Sequence, residues 1–153
     1  MKELTSILEK LKYSDIKTYI QSGNVICKGL AAPDKNIGKA IKQQFGFEPP
    51  VLILNPAELQ SALAKNPYKA NTDGKAVHFF FCREKPKAAV MKTLQQYQAP
   101  SEEYNLSGKV LYLHAPEGIA RSKLASKIDK NIGTTVTARN LNTVKKIAAL
   151  LEI

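Results

Sequence analysis

Tyr19-Ile20-Gln21-Ser22-Gly23-Asn24-Val25-Ile26 returns 85 residues later, largely intact, as Tyr104-Asn105-Leu106-Ser107-Gly108-Lys109-Val110-Leu111. In each copy a Ser-Gly pair separates two short runs of strand-forming residues. Glycine supplies the positive φ that a tight hairpin turn demands, so each copy predicts two strands joined by a turn. The chain therefore reads as a duplication. The same offset aligns Val51 with Val136 and Asn55 with Asn140, so both halves are expected to run from hairpin through helix and strand to an Asn and a further helix.

Outward from the first hairpin, Leu4, Ile7, Leu8 and Leu11 recur at helical spacing among Glu3, Glu9, Lys10 and Lys12, which predicts an amphipathic helix over 3–12. Asp34 is the expected cap of a helix carrying Ile37, Ile41 and Phe45, followed by a strand at Val51-Leu52-Ile53-Leu54. Asn55-Pro56-Ala57-Glu58 combines a capping residue, a proline in the first turn and a Glu three places on, so a helix should run from there to about Lys65. Turn residues cluster in 66–74, which divides a first unit (1–69) from a second (75–153) within one compact domain.

The second unit opens on Ala76-Val77-His78-Phe79-Phe80-Phe81-Cys82, a strand apolar on both faces. A helix from Pro86 carrying Val90, Met91, Leu94 and Tyr97 follows, then hairpin two, a helix near 118–129, the strand Thr135-Val136-Thr137-Ala138 and a last helix from about Asn140 to Leu151. Strand, helix, hairpin, helix, strand is the order of a ferredoxin-like split βαβ unit. The expected fold is α+β, two tandem ferredoxin-like units packed together. Moved back by 85 residues, the strand at Val77 falls before Met1, so the first unit is expected to lack its N-terminal strand. Its open sheet edge would then invite contact with a second copy.

Three ordered segments carry a resemblance to a family: Thr18-Tyr19-Ile20-Gln21-Ser22-Gly23-Asn24-Val25, then Gly118-Ile119-Ala120-Arg121-Ser122-Lys123-Leu124, then Thr137-Ala138-Arg139-Asn140-Leu141-Asn142-Thr143-Val144. By these the chain resembles the bacterial domain-of-unknown-function family 1697 over essentially its whole length. Members of that family usually begin with a strand and a glycine-rich loop that this sequence lacks, and Leu141 stands where they carry a tryptophan. The resemblance implies a two-unit α+β protein and brings no activity with it.

A net charge of +10, from 23 basic and 13 acidic residues, permits an anionic partner, yet the excess is spread over both halves. The polar candidates are Gln21, Ser22, Gly23 and Asn24 at the first hairpin, Arg121, Ser122 and Lys123 at a helix start, and Arg139, Asn140, Asn142 and Thr143 at the last strand-to-helix junction. Guanidinium groups beside the free N–H groups of a helix start suit phosphate or carboxylate, so a small anionic ligand is expected between the halves, with Arg121 and Arg139 converging on it. The plainer reading makes Ser22-Gly23 a turn, Asn140 or Asn142 a cap, and the arginines partners of surface carboxylates.

An enzyme acting on a phosphorylated or carboxylated substrate, or a nucleic-acid or protein interaction module, are the alternative functions. No catalytic set is recognisable. His78 and His114 have no ligand-spaced Cys, Asp or Glu, so no metal and no cofactor are expected. The pair Glu102-Glu103 reads as solvated. Hairpin strands nearly free of aromatics, and a sheet expected to be covered, argue against RNA. Two cysteines in strand patterns, Cys27 and Cys82, read as reduced thiols in a cytoplasmic protein, and no apolar run approaches the about 20 residues that span a bilayer.

Overall fold

Six consecutive buried residues, Val77–Cys82, form strand β3, and both of its faces are filled. Val77, Phe79 and Phe81 lie in one apolar cluster, Phe80 and Cys82 in another. This is the alternation a central strand requires, because successive side chains point to opposite faces. A computed structural model describes the chain except residues 22, 30–33 and 71–72 and the side chains at 34 and 35.

In chain order the elements are α1 (Lys2–Lys10), β1 (Ser14–Tyr19), β2 (Asn24–Lys28), α2 (Asp34–Phe45), α3 (Pro56–Ala64), β3, α4 (Ala88–Gln95), β4 (Glu103–Ser107), β5 (Val110–His114), α5 (Lys123–Asn131), β6 (Val136–Asn140) and α6 (Leu141–Leu150). The protein is α+β. Its strands make a two-stranded sheet, β1-β2, and a four-stranded sheet in the order β4-β5-β3-β6, with all neighbours antiparallel.

Helices cover both faces of the larger sheet. Against Val77, Phe79, Phe81 and Tyr112 pack Leu59 and Ala62 of α3 with Leu141, Val144 and Ala148 of α6. Leu94 of α4 and Leu124, Ala125 and Ile128 of α5 meet Phe80, Cys82, Leu111 and Leu113 on the other face. The Tyr112 hydroxyl donates to the Ala62 carbonyl at 2.6 Å, tying α3, from the first half, to a strand of the second. Neither face is open to stack bases.

Both expected hairpins form, with Gly23 at φ 83° and Gly108 at φ 59° in their turns. Ser22 lies outside the described residues, as do Asn71 and Thr72 of the linker and the side chain of Asp34, the expected cap of α2. Strand β1 begins at Ser14 and is irregular between Ser14 and Lys17, where Asp15 takes φ 50°. The Asn55 cap is borne out in full: Asn55 Oδ1 accepts from Glu58 N, and Glu58 Oε2 accepts from Asn55 N, both at 2.8 Å. A third cluster sits beneath α1 and α2, where Ile7, Leu8, Ile37 and Ile41 gather with Tyr13.

One expected strand is absent. Residues 51–54, expected to form a strand, join no ladder, and Ile53 is 45% exposed. A strand exists only through hydrogen bonds to a neighbour, and among the described residues no strand pairs with residues 51–54. A hairpin and a following helix are thus present in both halves, and Asn55 and Asn140 both cap a helix, whereas residues 51–54 form no strand to match β6. Cys27 and Cys82 are free thiols, as expected. Among the described residues no helix is long and apolar enough to cross a membrane.

Candidate functional site

Arg139 sits on β6 opposite Phe79, and cross-strand partners share a face, so its side chain lies on the side of the sheet that α3 and α6 cover. Its Nε donates to Asn24 Oδ1 at 2.6 Å, while Nη1 donates to Thr137 Oγ1 at 2.9 Å and to the Ala138 carbonyl at 2.7 Å. A half-buried guanidinium thus crosses from the second half to the first. Burial lowers its pKa from the ordinary guanidinium value, though arginine stays protonated in proteins. Asn24 is itself buried, and its Nδ2 donates to the Tyr19 carbonyl across the hairpin at 3.2 Å.

The junction after Arg139 is built by capping. Asn140 Oδ1 accepts from Thr143 N at 2.9 Å, which starts α6. Thr143 is buried, whereas Asn142 lies against Gly74, where a Cβ would collide with its amide. A larger residue at 74 would have to displace the exposed Asn142 amide. Gln21 and Gly23 are exposed at the hairpin end next to Asn24. The structure therefore brings together Asn24, Arg139, Asn140 and Thr143, three of them from one strand-to-helix junction.

Arg121, Ser122 and Lys123 are elsewhere. They lead into α5, which packs on the Phe80 face, so the sheet separates that helix from Arg139. The expected convergence of Arg121 and Arg139 is overturned, and the cause is strand parity: residue 139 pairs with residue 79 and not with residue 80. Arg121 and Lys123 are exposed. Ser122 is a helix cap, its Oγ accepting from Ala125 N at 3.0 Å and donating to Glu102 Oε2 at 2.5 Å.

Glu102, expected to be solvated, is 5% exposed. Its Oε1 also accepts from Ala99 N at 2.9 Å, and Gln98 Nε2 donates to its carbonyl at 2.6 Å. A carboxylate three residues after a turn opening can fold back on the main chain, and the Ser122 hydroxyl completes its shell. Only Glu103 of that pair is exposed.

His78, on β3, pairs with Asn140 of β6, is 8% exposed, and its Nδ1 has no hydrogen-bond partner among the described residues. Burial lowers its pKa. Among the described residues no group of three or more His, Cys, Asp and Glu could hold a metal ion.

An α+β protein with two antiparallel sheets and a polar seam between its halves is the class that fold and site define. Residues 1–112 match the model of the family described as Protein of unknown function (DUF1697), and the chain belongs to that family. The match ends before the segments at 118–124 and 137–144. Among solved structures, a conserved bacterial protein of Streptococcus pneumoniae, SP0830, is similar in fold, with a TM-score of 0.78 and 19% identity over 100% of this chain and 89% of that one. No curated protein matches the chain.

Proposed function

We propose that this protein binds a small anionic ligand, one bearing a phosphate or carboxylate, at the seam where Arg139 meets Asn24. The observation that carries this reading is the half-buried Arg139 guanidinium, aimed across the seam and fixed by Asn24 Oδ1 and Thr137 Oγ1. Orienting a guanidinium before a ligand arrives lowers the entropy that binding costs. The first turn of α6 begins two residues further on, and its N-terminal dipole favours the same sign of ligand. Gln21 and Gly23 complete the rim; Arg121, Ser122 and Lys123 are not part of it.

The strand order β4-β5-β3-β6, with a helix after β3 and another after β5, supports reading the second half as a ferredoxin-like unit. The first half is then an incomplete copy of that unit, with α1, the β1-β2 hairpin and α2 in the places of α4, β4-β5 and α5. Two free thiols in strands fit a reducing, cytoplasmic setting.

A thermal-shift screen of phosphorylated and carboxylated metabolites, with inorganic phosphate as the minimal probe, tests the anion site. At 100 times its dissociation constant a ligand stabilises by about 2.7 kcal/mol. Arg139→Ala should abolish the shift while circular dichroism stays native, and Asn24→Ala should weaken it. A hit that persists in Arg139→Ala, or a screen without hits, would refute the reading.

A further inference from the structure

The edges of the two sheets differ in how they are protected against a further strand. β1 is irregular between Ser14 and Lys17 and bears both Asp15 and Lys17. Across the seam Arg139 joins β6 to Asn24 of β2, and its Nη1 takes up the Ala138 carbonyl. β4 has neither kind of protection. Its ladder with β5 runs unbroken from Glu103 to Ser107, it contains no Lys or Pro, and Glu103 at its start is its one charged residue. An edge strand of this kind is a template for another chain.

The direction of its free groups follows from the hairpin. Ser107 and Val110 flank the two-residue turn Gly108-Lys109, so the alternation of an antiparallel ladder makes 107, 105 and 103 the residues bonded to β5. On the other side of β5, Cys82 N donates to the Lys109 carbonyl and Ala115 N to the Ala76 carbonyl, which fixes the same parity. The N–H and C=O groups of Tyr104 and Leu106 therefore point outward, and among the described residues no main-chain partner meets them. Half of this edge is walled. Residues 103–105 floor a concavity of about 640 Å³ between Pro67 and Tyr68 on one side and Gln95 and Gln98 on the other, and residues 106 and 107 lie outside it.

We propose that β4 pairs with β4 of a second copy of this chain, antiparallel about a twofold axis at Asn105, so that the two larger sheets become one. In that register Tyr104 lies opposite the partner's Leu106, and these outward-facing residues exchange hydrogen bonds. Glu103 lies opposite the partner's Ser107, and Asn105 meets its own counterpart, where the two side-chain amides bond each other. No like charges are opposed. The unwalled end of each β4 enters the concavity of the other copy, so a wall over one half of the strand suits a second copy better than an unrelated peptide. The charged residue in that lining, the exposed Glu103, then receives the partner's turn, which carries the exposed Lys109. Such a contact closes at two copies, because each has a single β4.

Sedimentation velocity on the full chain should show a monomer–dimer equilibrium, with no larger species, up to millimolar concentration. From monomer to dimer, amide exchange at Tyr104 and Leu106 should slow at least tenfold, while exchange along β1 and β2 stays as it was. Asn105→Lys and Asn105→Asp each set like charges on the axis, so each should weaken the dimer at least tenfold, and an equimolar mixture of the two should recover it. Asn105 is exposed, so both variants should keep the native circular dichroism. Overturning results are a chain that stays monomeric at millimolar concentration, larger assemblies, a dimer whose Tyr104 and Leu106 amides exchange as in the monomer, full affinity in either variant, or a mixture no tighter than its parts.

Discussion

His78 is the residue whose chemistry is least visible in sequence and most exposed to a direct test. An imidazole within an apolar strand looks like any half-buried histidine; only the second layer of helices makes it a buried one. Burial favours its neutral form, so the folded pKa lies below the unfolded value of about 6.5. Above that value both states are neutral and nothing is gained or lost. As pH falls below it the unfolded chain takes up a proton that the folded chain refuses, and stability drops until the folded pKa is reached. The melting temperature should therefore fall between pH 7 and pH 5 more steeply in the wild type than in His78→Gln. At the alkaline end Cys82, pushed up to about 11, should resist thiol reagents at pH 8 that modify Cys27 first. Phe79, fully buried and edge-on to Tyr112 at 4.8 Å between centroids, should cost about 3–5 kcal/mol as Phe79→Ala in chemical denaturation.

Elements whose signals are local were legible, and elements that depend on a distant partner were not. Asn55, Pro56 and Glu58 specify the start of α3 within four residues, and both halves of the capping box form. Asn55→Ala should cost about 1 kcal/mol, read as a shift in denaturation midpoint at constant m-value. Residues 51–54 have the β-branched composition of a strand, but composition cannot supply a neighbour. For the site, turn and cap chemistry announced Gly23 and Asn140, whereas the capping role of Ser122 was hidden because the helix was expected to begin near residue 118. Which face of β6 holds Arg139 depends on its register against β3, and register is a tertiary property. That is why Arg121 and Arg139 looked like a pair in sequence and are separated in space.

Between the two halves, three side-chain hydrogen bonds among the described residues accompany the apolar packing of α3 against the larger sheet and α6. Arg139 to Asn24, Tyr112 to Ala62 and Arg83 to Val51 each bridge them with a hydrogen bond from the second half. A double-mutant cycle on Arg139→Ala and Asn24→Ala should return a coupling of about 1.5–3 kcal/mol, the range for a hydrogen bond to a charged group. Additive effects would mean that the seam is held by packing alone. The repeat made both hairpins legible from Tyr19 and Tyr104 onward, but how the two halves meet rests on side chains that the repeat does not share: under the 85-residue offset Asn24 falls on Lys109, and Arg139 on Leu54.

Burial of β3 on both faces has a consequence before the protein is finished. During synthesis Val-His-Phe-Phe-Phe-Cys leaves the ribosome well ahead of β5, and ahead of β6 by more than fifty residues. Until those arrive, this uncharged, apolar, strand-forming window has no ladder to join. Lys75 before it, and Arg83, Glu84, Lys85 and Lys87 after it, stand as gatekeepers at its two ends. Neutralising them would leave the finished structure nearly unchanged, because all but Arg83 are exposed, while the yield of soluble protein would fall.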